Sequence, residues 1–212
     1  MRGIRNLEAI IARTIDTYDK IASEYANCWL DDPVMKDSLA KFIDYLPQDS
    51  LVIDVGCGIG RDTKYLIDRG INTIGVDISM GMLRVAKRLM PDGNFFLMDM
   101  RTLGFLDETF KGIWACASVV HLPKYFLSIV LGEFNRILKK DGILFLSMQE
   151  GDNEAFLEPE GRFFAYYKMD ELNTILGQHG FQVFDFETKQ TGKNTFNKPI
   201  MITWLNFWGR KV

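Results

Sequence analysis

Cysteine is scarce in this chain, and Cys28, Cys57 and Cys116 share neither a paired nor a metal-ligand spacing. That excludes a disulfide scaffold. Cys57 inside a glycine-rich turn and Cys116 inside an apolar run read as small buried side chains, and an odd, scattered set suits a reducing compartment. Histidine is scarcer still, with only His121 and His179, so few imidazoles can serve as a base. No apolar run approaches the roughly 18 residues of a membrane span. The N-terminus lacks the basic, apolar, small-residue order of a signal peptide. The expectation is therefore a soluble, cytoplasmic protein with no membrane partner. A net charge of −3 gives no general attraction to nucleic acid or anionic lipid. This argues against RNA or DNA as a substrate and leaves only a local basic patch open, at Lys189, Lys193, Lys198, Arg210 and Lys211. Internal repeats, low-complexity tracts and the G-x-x-x-x-G-K-[ST] phosphate loop are also missing.

What is present suits one domain with a sizeable core: 212 residues, 47% of them hydrophobic. Apolar residues at helical spacing cover 7–30, read as two helices, and Asp31-Asp32-Pro33 opens a further helix that ends near Leu46-Pro47. Strands are expected over 51–55, 73–76, 94–98, 112–117 and 142–149. Helices over 61–69 (closed by Gly70), 81–90 (capped by Ser79) and 123–139 separate them, with Asp141-Gly142 as a turn. Strands alternating with helices predict a parallel sheet covered on both faces. After Gly151 a charged, turn-rich segment leads to the aromatic run at 162–167, then a helix over 169–178. Strand-like runs at 181–189 and 200–209 close the chain as a hairpin, placing one antiparallel strand in the sheet.

The first strand runs into Asp54-Val55-Gly56-Cys57-Gly58-Ile59-Gly60, and a helix starts at Arg61. Alternate glycines let the backbone turn sharply and let a ligand lie against it. The helix start adds unpaired N–H groups and the positive end of a dipole. The dinucleotide fingerprint G-x-G-x-x-G needs a third glycine where this chain has Arg61, and no second domain is present to carry a hydride acceptor. Asp77 ends the second strand, roughly twenty residues past the glycines, where a carboxylate takes ribose hydroxyls. Asp99 ends the third, placed for an adenine amino group. Asp54 either touches a cationic ligand or orients the loop. His121, just past the fourth strand, lies where α/β sheets carry their sites. It is the candidate base, or else a histidine satisfied by a neighbouring backbone group.

These pieces, together with Gly75-Val76-Asp77-Ile78-Ser79, Met98-Asp99-Met100 and Leu138-Lys139-Lys140-Asp141-Gly142-Ile143-Leu144, resemble the class I S-adenosylmethionine-dependent methyltransferases. Tyr18-Asp19-Lys20-Ile21-Ala22-Ser23-Glu24-Tyr25 resembles the segment that lids the cofactor in small members. The resemblance implies an α/β fold, a three-layer Rossmann-like sandwich whose seven strands run in the order 3-2-1-4-5-7-6 with strand 7 antiparallel. Residues 1–212 would then form one domain: a helical lid over 1–47, a cofactor-binding core over 48–150, and an acceptor-side insertion with the hairpin over 151–212. Carried over by position, Gly56, Gly58 and Gly60 would line the methionine part of S-adenosylmethionine. Asp77 would hold the ribose, and Asp99 with Met100 the adenine, between Ile78 and Met82. Ala117 would approach the sulfonium, Tyr18 and Tyr25 would close over it, and Arg162, Tyr166 and Tyr167 would roof an acceptor pocket. No Asn-Pro-Pro-Tyr or catalytic Pro-Cys signature of base methylation occurs, so a small-molecule acceptor is expected. A tRNA or protein acceptor and a non-catalytic binding role stay open as alternatives.

Overall fold

The computed structural model describes residues 2–30, 35–158, 160–193 and 199–212; the helix opening read at Asp31-Asp32-Pro33 lies outside them. Apolar alternation builds the centre. Helices α1 (Arg2–Trp29) and α2 (Lys36–Asp44) precede β1 (Leu51–Val55). Then come α3 (Arg61–Ile67), β2 (Asn72–Asp77), α4 (Met80–Leu89), β3 (Asn94–Leu97) and β4 (Phe110–Cys116). Within β1, Val52 faces one side and Ile53 the other, and both are fully buried. Val52 joins Trp114, Phe145 and Trp208 under Leu39 and Phe42 of α2 and Leu66 of α3. Ile53 joins Ile113, Ala115 and Leu144 on the opposite face. That face is covered by α5 (Leu127–Ile137) and by α6 (Met169–Gln178), through Val130, Phe134, Leu172 and Leu176. Period-2 burial on both faces is the signature of a strand sandwiched between helical layers.

Strands β5 (Leu138–Glu150), β6 (Glu154–Leu157), β7 (Arg162–Tyr167), β8 (Phe181–Lys193) and β9 (Pro199–Lys211) complete the sheet. β3, β2, β1, β4 and β5 run in that order and parallel. β9 adds antiparallel to the far edge of β5, and β8 adds antiparallel to β9. This is the expected order with its antiparallel strand. The expected count of seven is corrected to nine, because the segment after Gly151 is a hairpin, β6–β7, and not an irregular insertion. β7 also pairs parallel with β5 at Gln149↔Tyr166 and Glu150↔Tyr167. β4 pairs with β5 only as far as Ser147, and β9 holds the other edge. Thus β7 takes the place on β5 that β4 vacates, directly beyond the carboxyl end of β4.

Two further expectations change. Residues 7–29 belong to one helix of 28 residues, Arg2–Trp29, and not two, since nothing in the run breaks the 3.6-residue pattern. The helix expected over 123–139 is a 3-10 turn at Lys124–Phe126 followed by α5, which stops at Ile137. β5 begins at Leu138, with a bulge between Leu138 and Ile143 that puts Asp141 at φ 59°. No described helix is long and apolar enough to cross a membrane.

Candidate active site

At the carboxyl end of β1 the chain turns through Gly56, Gly58 and Gly60, all at positive φ. The N–H groups of Gly56 and Cys57 both donate to the Val76 carbonyl, at 2.8 and 3.0 Å, pinning the turn to β2. The three glycines do different jobs. A Cβ on Gly56 would fall 2.2 Å from the Ser118 Cβ, so this glycine permits two backbones to approach. A Cβ on Gly58 would meet no protein atom within 4 Å, and Gly58 lines a cavity of about 1140 Å³. Gly60 does not line that cavity. It starts α3, and a Cβ there would press on the Phe95 ring.

Asp77 ends β2 beneath this turn. Its Oδ2 accepts from the Gly58 N–H and its Oδ1 from the Ser79 N–H, each at 2.8 Å. Burial raises its pKa, and these N–H donors oppose the rise. Ser79 caps α4 as expected, its hydroxyl oxygen accepting from the Met82 N–H. The same hydroxyl donates to Asp19 Oδ1 at 2.6 Å, and the Gly81 N–H donates to that oxygen at 2.7 Å. Asp19 on α1 therefore latches the N-terminal helix to the start of α4. Sequence reasoning missed it, although it stands within the quoted lid segment.

The other carboxylates are more committed than their positions suggest. Asp99 lines the cavity, but Arg101 grips both its oxygens, with Nη2 2.6 Å from Oδ2. Arg101 is in turn held by Glu8 of α1 at 2.6 Å. Asp54 accepts the Thr63 hydroxyl at 2.6 Å, and burial with Asp62 alongside raises its pKa. It thus ties α3 to β1 as well as lining the cavity. Asp62 accepts from Arg61 Nε at 2.6 Å and from the Trp114 indole at 2.9 Å. Ile78, Met82 and Met100 line the same space.

A second cavity of about 1310 Å³ adjoins the first. Tyr18, Tyr25, Trp29, Arg61, Ala117 and His121 line both. Ala117, just past the end of β4, has φ 50°, a left-handed conformation rare without glycine, of the kind that collects at functional sites. Next to it the Ser118 hydroxyl is buried without a partner. Tyr18 and Tyr25 pack edge-on at 6.1 Å, and burial raises the pKa of each phenol.

His121 Nδ1 lies 2.7 Å from the Phe163 carbonyl, which can only accept, so Nδ1 carries the proton. Nε2 is left to accept from the Tyr18 hydroxyl, also at 2.7 Å. Burial, with the Arg162 charge nearby, pushes the imidazole pKa down to about 3. The backbone-satisfied reading of this histidine therefore holds, and the environment works against it as a proton acceptor.

Alternation along β7 sorts the aromatic run. Arg162, Phe164 and Tyr166 face the second cavity. Tyr167 faces the other way, buried in the core beneath the Lys124 ammonium, and lines neither cavity. That corrects its assignment to an acceptor roof, because neighbouring residues of a strand point to opposite faces. Arg162 pairs with Glu160 and donates to the Tyr18 hydroxyl at 3.2 Å.

Residues 52–142, which carry the glycine turn, Asp77, Asp99 and the end of β4, match a family described as a methyltransferase domain. This core is similar to a methyltransferase domain. The 2-methyl-6-phytyl-1,4-hydroquinone methyltransferase of Synechocystis is 32% identical over 130 residues, 54% of this chain and 40% of that protein. The demethylmenaquinone methyltransferase of Renibacterium salmoninarum is 34% identical over 95 residues, 44% of this chain and 38% of that one. The chain thus spans about two fifths of the length of these relatives. Beyond the matched residues, the likeness of fold extends over nearly the whole chain. The 1,6-didemethyltoxoflavin-N1-methyltransferase of Burkholderia thailandensis superposes with a TM-score of 0.78, covering 97% of this chain and 90% of that one at 20% identity. That structure holds 1,6-didemethyltoxoflavin and S-adenosylhomocysteine.

Proposed function

We propose that this protein transfers a methyl group from S-adenosylmethionine to a small-molecule acceptor. The observation that carries the reading is one continuous path. An open glycine turn above Asp77 leads along the first cavity to Ala117, where the second cavity begins. The residues suit the cofactor on physical grounds. Gly58 leaves a space that a side chain would fill, Ser118 offers a buried hydroxyl lacking a partner, and Asp77 is a half-buried carboxylate whose remaining lone pairs ribose hydroxyls would satisfy. Gly56 and Gly58 would hold the amino-acid part, Asp77 the ribose, and Ile78, Met82, Asp99 and Met100 the adenine. When bound, S-adenosylmethionine supplies an electrophilic methyl group on sulfur.

The chain's own task is then to align and to keep water out, and alignment alone contributes roughly 7–11 kcal/mol to such a transfer. Tyr18 and Tyr25 close the space over the junction of the two cavities. His121 acts as a positioning residue: from the Phe163 carbonyl through Nε2 it holds Tyr18 in place. Arg162 and Tyr166 form part of the acceptor side. Relatives named for hydroquinone and menaquinone methylation, and a structural neighbour holding 1,6-didemethyltoxoflavin, support a small molecule over a macromolecule. Equilibrium dialysis with labelled S-adenosylmethionine tests the reading: saturable uptake, displaced by S-adenosylhomocysteine, is expected. No uptake by folded protein would refute it.

A further inference from the structure

The face of the sheet that is apolar at Phe145 and Trp208 turns polar one register step further on. Phe145 pairs with Trp208, then Ser147 with Asn206, then Gln149 with Trp204. Ser147 and Gln149 are 1% and 6% exposed, point to the same face, and both line the second cavity. Asn206 is anchored to Glu187 at 3.1 Å. Neither the Ser147 hydroxyl nor the Gln149 amide has a hydrogen-bond partner among the described residues. Their polar atoms open into the cavity roughly 7 Å apart along one strand, placed to meet an occupant that carries two hydrogen-bonding groups.

The walls say what that occupant looks like. Tyr25, Trp29, Phe164, Tyr166 and Trp204 surround the space, and aromatic side chains favour a flat ring packed face or edge against them. The charges argue for a neutral one. Arg61 is neutralised by Asp62 and Arg162 by Glu160, while Lys189 and Glu150 contribute one charge of each sign. We propose that the second cavity takes an uncharged planar ring with two hydrogen-bonding substituents, of the hydroquinone type, and that Ser147 and Gln149 recognise those substituents. This rests on the methyl-transfer reading above, and deepens it by naming the acceptor class and the residues that select it.

The test titrates 1,4-dihydroxynaphthalene and naphthalene, under anaerobic conditions, into protein with and without saturating S-adenosylhomocysteine. Tryptophan fluorescence reports ring binding. Wild type is expected to bind the diol at least tenfold more tightly than naphthalene. The double variant Ser147→Ala, Gln149→Leu is expected to lose that preference and to keep its affinity for S-adenosylhomocysteine within twofold. Should the double variant fail to fold, Gln149→Glu preserves volume and is expected to weaken the diol at least fivefold. Equal binding of both rings by wild type, or a preference that survives in the variants, would overturn the acceptor assignment. Failure of S-adenosylhomocysteine to bind would instead sink the methyl-transfer reading, and the arm without it keeps the two failures apart.

Discussion

Replacing Gly58 and Gly56 by alanine, one at a time, separates the ligand-facing part of the turn from its structural part. Both residues sit at positive φ, +54° and +74°, where an alanine costs about 1–2 kcal/mol. The loss of freedom in the unfolded chain returns about 0.4–1 kcal/mol. At Gly58 nothing more is added, since no protein atom lies within 4 Å of the new methyl group. The expected destabilisation of Gly58→Ala is therefore about 1 kcal/mol. The methyl group stands in the cavity, however, and inserting such a group where a ligand packs costs roughly 1–3 kcal/mol. S-adenosylhomocysteine should then bind roughly 10- to 100-fold more weakly. Gly56→Ala reverses the pattern. Its methyl carbon would fall 2.2 Å from the Ser118 Cβ, so the same overpacking falls on the fold and adds up to about 2–4 kcal/mol of destabilisation in all. Urea denaturation and calorimetric titration with S-adenosylhomocysteine give both numbers on each variant. The reasoning fails if Gly58→Ala binds like wild type, or if Gly56→Ala is as stable as wild type.

Other consequences follow from the polar contacts. Asp77→Asn turns one acceptor into a donor facing an N–H group, and equilibrium dialysis should show affinity for S-adenosylmethionine at least tenfold lower, about 1.4 kcal/mol. Asp19→Ala removes the acceptor shared by Ser79 and Gly81; it should cost about 1–2 kcal/mol and speed amide exchange in α1 selectively. Acid should weaken the fold through His121. Its folded pKa of about 3 lies below the ordinary value of 6.5, so the unfolded chain takes the proton first. That share of stability is complete above about pH 6.5 and is lost as pH falls toward 3, amounting to a few kcal/mol at most. Asp54 and Asp77, with raised pKa values, act in the opposite sense. The His121 share is therefore read as the difference between wild type and His121→Asn across a pH series of urea midpoints, and parallel curves would contradict it.

The candidate site was legible where function rests on backbone shape and on position along a strand. Glycines at alternate positions announce a turn whatever surrounds them, and Asp77 after an apolar strand can only stand at the carboxyl edge of the sheet. Ser79 as a cap and α6 over Met169–Gln178 were equally readable, because caps and helical periodicity are local. Tyr167 was misplaced for a different reason. Whether a residue faces the ligand depends on which side of its strand or turn is covered, and that is set by partners far along the chain.

The sequence by itself determined the alternation of strands and helices from β1 to β5, the bend at Gly56–Gly60 and the carboxylates at the strand ends, since each follows from contacts between near neighbours. Only the tertiary structure decided that β7 continues the line of β4 along β5. It alone tied His121 to Tyr18 across 103 positions of the chain, and set Ser147 and Gln149 bare within an aromatic cavity. Those arrangements depend on which segments meet after the chain has closed on itself, and no run of neighbouring residues carries that information.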